Sequence, residues 1–266
     1  MEIQFLGTGA GGVIDCYNTC FTIKNNNEYL LVDGGGGNQI LKQLRNANIK
    51  LNDIHNIFIT HNHTDHILGL VWVIRSIVTL LRFGKNHGGE YLGNLNVYGS
   101  DKSIEVLKHL VDLLFPPARQ FFGNRILFNI VENLDEKNII GLNFQFFNTL
   151  AKKDKQFGFK INNKVLFCGD EPLDQTLFPF AENIDWILHE SFCLDKDKDI
   201  FNPHEKGHST VKDASITAEK IKAKNQVLFH TVDNNLDNRK IDYGNEANKY
   251  FSGKTIIPND LELIII

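Results

Sequence analysis

His61-Asn62-His63-Thr64-Asp65-His66 packs four ligand-type side chains into six residues. It follows Ile57-Phe58-Ile59-Thr60, an apolar run that reads as a buried strand, and precedes a run of helical character. While the chain is still extended, His61 and His63 project to the same side and can share one ion. Asp65 and His66 lie past the turn and can face a second. Imidazole together with carboxylate suits zinc, iron or manganese. The competing account is a polar loop that is merely rich in histidine. Three histidines and an aspartate between a strand and a helix weigh against it.

Outward from this stretch the chain alternates strands, turns and helices. Ile3 to Leu6 reads as a first strand, ended by Gly7-Thr8-Gly9-Ala10-Gly11-Gly12. No helix-forming run follows these glycines, so a phosphate cradle is a weak reading. Phe21-Thr22-Ile23 and Tyr29-Leu30-Leu31-Val32 flank Asn25-Asn26-Asn27, a hairpin signal. Asp33 ends the second of these strands, and Gly34 to Gly37 lead into a helix through Ile40, Leu41 and Leu44. Strands are expected at Leu95–Tyr98, Ile126–Val131, Phe144–Phe147, Phe157–Ile161, Val165–Phe167, Trp186–Leu188 and Val227–Phe229. Helices are expected at Ile104–Phe115, stopped by Pro116-Pro117, at Val211–Ala223 and at Tyr243–Phe251. Hairpins mixed with helical returns suggest α/β layers enclosing two sheets.

Composition narrows the partners. The chain has 266 residues, 42 % hydrophobic and 23 % charged, with a formal charge of −4. That is an ordinary globular composition with no overall basic field for nucleic acid. No membrane partner is expected: the most apolar stretch, Ile67 to Leu81, is interrupted by Arg75 and reads as a core helix. Met1-Glu2-Ile3-Gln4 lacks the regions of a signal peptide. Cys16, Cys20, Cys168 and Cys193 have no disulfide-framework spacing, which suits a reducing cytoplasm. Cys16 and Cys20 are better read as packing residues than as half a zinc site, because no second pair follows.

Several later strands end in chemistry. Val165-Leu166-Phe167-Cys168-Gly169-Asp170 puts a carboxylate just past a strand, where its two oxygens could bridge two ions. Ile187-Leu188-His189-Glu190-Ser191 ends in a histidine and an acid. His204 and Gly207-His208-Ser209-Thr210 precede a helix, with Ser209 or Thr210 as its N-cap. Val227-Leu228-Phe229-His230 ends in histidine. Each alone is more often structural; together they repeat a strand that exits into His or Asp, the pattern of a site at one edge of a sheet core.

These residues, in order, resemble the metallo-β-lactamase fold superfamily and, within it, the ribonuclease Z branch. The His61–His66 run fits the H-x-H-x-D-H motif. Phe5-Leu6-Gly7-Thr8-Gly9 and Asp33-Gly34-Gly35-Gly36-Gly37-Asn38-Gln39 are similar to its opening segments. Gly169-Asp170, His189-Glu190-Ser191, Gly207-His208-Ser209-Thr210 and His230 match later motifs. The resemblance implies a single αββα sandwich domain over 1–266, with a dinuclear site binding one or two zinc ions, manganese or iron being alternatives. One ion would be held by His61, His63 and Asp170, the other by Asp65, His66, Asp170 and His230. His208, Glu190 and Asp65 are the candidate catalytic residues, with His208 as the acid oriented by Glu190. The implied reaction is hydrolysis of a phosphodiester or related ester in a small-molecule or nucleotide substrate, by a water whose pKa the metal lowers.

Two departures bear on this. The branch has a further histidine ligand after the strand at Phe144–Phe147, where this chain reads Asn148-Thr149-Leu150-Ala151-Lys152-Lys153-Asp154. His87, Asp154 and His189 are the available substitutes. The branch also carries a long arm that grips transfer RNA, for which there is no room between Asn148 and Asp170. RNA is therefore the less favoured substrate. Processing of transfer-RNA 3′ ends and a catalytically weak sensor or scaffold are the alternatives, and a homodimer is compatible with the sequence.

Overall fold

The structure is a computed structural model that describes residues 1–84, 89–116 and 123–266. Its strands are β1 Glu2–Gly7, β2 Cys20–Asn25, β3 Glu28–Val32, β4 Ile54–Ile59, β5 Leu95–Gly99, β6 Ile126–Ile130 and β7 Glu136–Ile139. They continue with β8 Leu142–Asn148, β9 Phe157–Ile161, β10 Val165–Phe167, β11 Trp186–Glu190, β12 Asn225–Phe229, β13 Lys254–Ile256 and β14 Leu263–Ile265. The main helices are α1 Gln39–Asn46, α2 Thr64–Phe83, α3 Asp101–Leu114, α4 Val211–Lys220 and α5 Arg239–Ala247.

Among the described residues the strands form two seven-stranded sheets, ordered β14-β1-β2-β3-β4-β5-β6 and β13-β12-β11-β10-β9-β8-β7. Each is antiparallel on one side and parallel on the other, with β4 and β5 in the parallel part of the first and β11 and β12 in that of the second. Parallel strands share the edge at which they exit, so the residues after β4, β10, β11 and β12 are brought to one rim.

Alternation makes the layers. In β1, Ile3 and Phe5 face the second sheet, and in β9, Phe157, Phe159 and Ile161 face the first. The inner layer is largely phenylalanine: Phe58 meets Phe146 with ring centres 5.0 Å apart, and Phe159 meets Phe167 at 5.0 Å. Helices α1, α2 and α3 cover the outer face of the first sheet. Helices α4 and α5, with a short turn at Phe178–Ala181, cover that of the second. This is the expected αββα sandwich.

Several bounds differ from expectation. α3 starts at Asp101 because the Ser100 hydroxyl accepts from Ser103 N–H and opens the helix one turn earlier. Pro117 lies outside the described residues. The last helix is Arg239–Ala247, not Tyr243–Phe251: Arg239 is held by Thr231, Thr8 and the Pro258 carbonyl, which starts the helix early. β7, β13 and β14 are short and weakly patterned, and exist because a neighbouring strand pairs with them. Thr64–Phe83 is, by length and composition alone, apolar enough to cross a membrane, against the expectation that no stretch would be. Over half of it is buried against the first sheet and its neighbouring helices, as a core helix is.

Candidate metal centre

β4 ends at Ile59, and Thr60 and His61 are buried at its exit. His63 stands at the N-cap of α2, with Asp65 and His66 in the first turn. Asp170 follows β10 after Gly169, whose φ of +78° favours glycine. His230 follows β12 with φ +57°, a left-handed backbone that turns the ring back over the rim. Such a conformation at a non-glycine residue is held by its surroundings and is often found at functional sites.

The structure brings His61, His63 and Asp170 into one group, and Asp65, His66 and His230 into another beside it. Asp170 Oδ2 joins the two: it lies 3.5 Å from His61 Nε2, 3.3 Å from His66 Nε2 and 3.6 Å from His230 Nε2. Asp65 Oδ2 lies 3.2 Å from His66 Nε2.

The outward nitrogens decide what the inward ones carry. His66 Nδ1 faces Asp33 Oδ2 at 2.8 Å, and an aspartate accepts, so Nδ1 holds the proton. The Thr60 hydroxyl donates to Asp33 Oδ2 at 2.7 Å and therefore accepts from His61 Nδ1–H at 2.9 Å. His63 Nε2 donates to Asp154 Oδ2 at 2.9 Å. The Thr19 hydroxyl donates to the Gly9 carbonyl and so accepts from His230 Nδ1–H at 3.0 Å. Four imidazoles thus turn their second nitrogens inward: His61 Nε2, His63 Nδ1, His66 Nε2 and His230 Nε2. His61 Nε2 and His63 Nδ1 are only 2.8 Å apart, and buried His66 Nε2 has no hydrogen-bond partner. Lone pairs this close need a cation or a proton between them. With the Asp65 and Asp170 carboxylates beside them, the donor set fits a metal pair, with outer partners that orient each ligand.

Charge states in the metal-free site differ from ring to ring, and His66 Nε2 there carries a proton that an ion would displace. Burial pushes the imidazolium forms of His61 and His230 down, to about 4 and about 3. Burial acts in the same direction on His66, but Asp65 and Asp33 outweigh it and hold its pKa well above the usual value. Burial would raise the Asp170 carboxyl; His61 and His66 pull it well below its usual range instead. The metal-free pocket is therefore rich in carboxylate charge.

His208 sits beside this cluster, its ring 5.2 Å from that of His230 and stacked on Phe192 at 4.7 Å and 3°. Its orientation differs from expectation. Nδ1 donates to the Asp170 carbonyl oxygen at 2.8 Å, whereas Glu190 Oε2 is 3.8 Å away with no hydrogen-bond partner. Glu190 instead accepts from Ser209 N–H through Oε1, so it fixes the loop that carries His208. Burial raises the Glu190 carboxyl well above its usual value and lowers the His208 imidazolium. Thr210 is the N-cap of α4 in a capping box with Asp213, and His204 pairs with that same Asp213 away from the cluster.

Of the substitutes for the absent histidine, Asp154 reaches the site, but at the far nitrogen of His63. His189 is buried elsewhere, bonded to the Glu190 carbonyl and Leu173 N–H. His87 lies outside the described residues. The four cysteines stand unpaired and outside the cluster. Asp33, Thr60, Thr19 and Gln156 were not singled out as site residues from sequence. Asp33 carried a usable signal, a strand exiting into Asp-Gly; the other three are single polar residues with no pattern.

Fold and site together define the class: a metal-dependent phosphodiester hydrolase of the metallo-β-lactamase fold. Within it, the chain belongs to the anti-Pycsar protein Apyc1 family, whose profile matches residues 1–249. It is also ribonuclease Z-like. Ribonuclease Z of Lactococcus lactis subsp. cremoris is 30 % identical over 280 residues, covering 86 % of this chain and 88 % of that protein. Ribonuclease Z of Thermococcus sibiricus is 25 % identical over 307 residues, covering 99 % and 96 %. The fold is shared with the metallo-β-lactamase fold protein YhfI from Bacillus subtilis, at a TM-score of 0.76 and 19 % identity over 99 % of this chain and 98 % of that one. Human tRNase Z, short form, superposes at 0.74 with 20 % identity over 100 % and 99 %.

Proposed function

We propose that this protein hydrolyses a small nucleotide phosphodiester at a two-ion centre. His61, His63 and Asp170 would hold one ion, and Asp65, His66, Asp170 and His230 the other. The observation that carries this reading is the set of four inward imidazole nitrogens gathered with Asp170. Zinc suits a donor set of imidazole and carboxylate. When bound, the ions lower the pKa of a water and offset the charge that builds on the phosphoryl group.

The chain's own residues do the rest. Asp33, through Thr60 and directly, holds His61 and His66 in the tautomers that bind. Phe192 fixes the plane of the His208 ring, and the Asp170 carbonyl fixes its Nδ1 proton. Its other nitrogen is then the one available to protonate a departing oxygen, a role suited to imidazole. A cleft of about 330 Å³ opens beside His208, lined among others by Leu150, Lys152, Pro172 and Leu173. That is at the small end of ligand pockets, about 300–1,000 Å³. From β8 to Asp170 the chain is a short strap, β9 and β10, with no projecting arm to hold the body of an RNA. The unpaired cysteines suit the cytoplasm.

Zinc-loaded protein should be assayed against cyclic and linear nucleotide phosphodiesters and against a precursor transfer RNA. Turnover of a nucleotide diester with intact RNA is expected. Cleavage of the RNA alone would overturn the small-substrate reading in favour of a ribonuclease Z activity.

A further inference from the structure

Gln156 lies one residue before β9, where the strap that lacks the histidine rejoins the sheet, and it is 2 % exposed. Its Oε1 accepts from Asp170 N–H at 3.3 Å and from the Thr149 hydroxyl at 3.5 Å. A backbone N–H can only donate, so the amide has one orientation. Nε2 therefore faces inward. It donates to Asp170 Oδ1; His61 Nδ1, whose proton goes to Thr60, lies 3.1 Å away and is not its acceptor. Gly169 gives it room: a Cβ there would stand 2.3 Å from Gln156 Oε1. With Oδ1 engaged, Asp170 presents only Oδ2 to the imidazoles.

We propose that Gln156 is a positioning residue for the metal centre. It clamps Asp170 by one oxygen, Oδ1, so that Oδ2 is the oxygen left for the ions, and it lies beside His61. The proposal rests on the two-ion reading above. An amide that holds one carboxylate oxygen removes the rotation that would let Asp170 offer both. It also leaves the two ions unequally provided for. The His61/His63 ion has Asp170 as one of three protein ligands, whereas the other ion has Asp65, His66 and His230 besides. Loosening Asp170 therefore weakens the first ion more.

The test is calorimetric zinc titration of metal-free protein, for the wild type and for Gln156→Met, which keeps the side-chain volume but has no donor. Gln156→Leu serves as a second variant if the first does not fold. Zinc occupancy from anomalous scattering assigns each binding step to its site. Loss of an outer partner typically costs about 10–100-fold in metal affinity. That loss is expected at His61/His63, with a smaller loss at Asp65/His66/His230. Two zinc affinities that survive the substitution, or that fall equally, overturn the clamp. A wild type that binds one zinc or none overturns the two-ion reading itself, a result visible before any variant is made.

Discussion

His208 donates to a backbone carbonyl and stacks on Phe192, and neither contact holds a metal ligand's side chain. His208→Ala should therefore cut kcat by about 10²–10⁴-fold, the usual worth of a general acid, with zinc content unchanged. Lost zinc would make it a ligand. Glu190 calls for a different measurement. Its carboxyl titrates near 4.3 when unfolded, and burial lifts it well above that in the folded chain. Between the two values the folded chain keeps a proton that the unfolded chain has lost. Stability is complete below the unfolded value and falls as pH rises through the folded one. Glu190→Gln lacks this loss, so in urea unfolding it should gain on the wild type as pH rises above the unfolded value; parallel curves would refute a raised pKa. At this scale the inner donors were legible because six came from strand exits with a shared pattern. Their orienting partners were not: Thr19 reaches His230 across 211 residues, a proximity only the fold creates.

The glycine loop after β3 lies flat against α2, and that contact links two elements to the site. Gly34 N–H donates to the His66 carbonyl and Gly69 N–H to the Gly35 carbonyl, both at 2.8 Å. A Cβ on Gly69 would stand 1.8 Å from the Gly34 oxygen. Gly69→Ala must push the loop off the helix, and Asp33 with it. Overpacking of this kind typically costs about 1–3 kcal/mol. Urea unfolding should show that loss for Gly69→Ala, with weaker zinc binding, whereas Gly12→Ala, whose Cβ would meet nothing, should show neither. Elements with strong periodicity were readable in the chain: β1, β4, β9 and α2 fall where alternation or a long apolar run put them. β7, Glu136-Lys137-Asn138-Ile139, has no such run and is a strand because β8 pairs with it. The start of α5 was set from outside by Arg239, which bonds to segments more than two hundred residues before it and about twenty after it.

At the scale of the whole molecule the candidate centre is a junction. His61, His63, Asp65 and His66 come from the end of the first sheet and the start of α2; Asp170 and His230 come from strands of the second. The phenylalanine layer joins the sheets along their length, but at this rim carboxylates and lone pairs face one another. Without metal ions the His66 imidazolium is the one cation that Asp33, Asp65 and Asp170 share there. Ions bound there act on the folded state alone and stabilise it by mass action, by about 4 kcal/mol at a free concentration a thousand times Kd. For a chain of this size each kcal/mol moves the midpoint by about 2–4 °C, so chelation should lower Tm by roughly 10 °C. Adding zinc back should restore it. Asp170→Ala, which removes the shared oxygen, should start low and respond little to either treatment. A thermal scan in which zinc-loaded and chelated wild type melt together, with metal loss verified by elemental analysis, would show that the sheets are held by the aromatic layer alone and that the centre adds nothing to the fold it sits on.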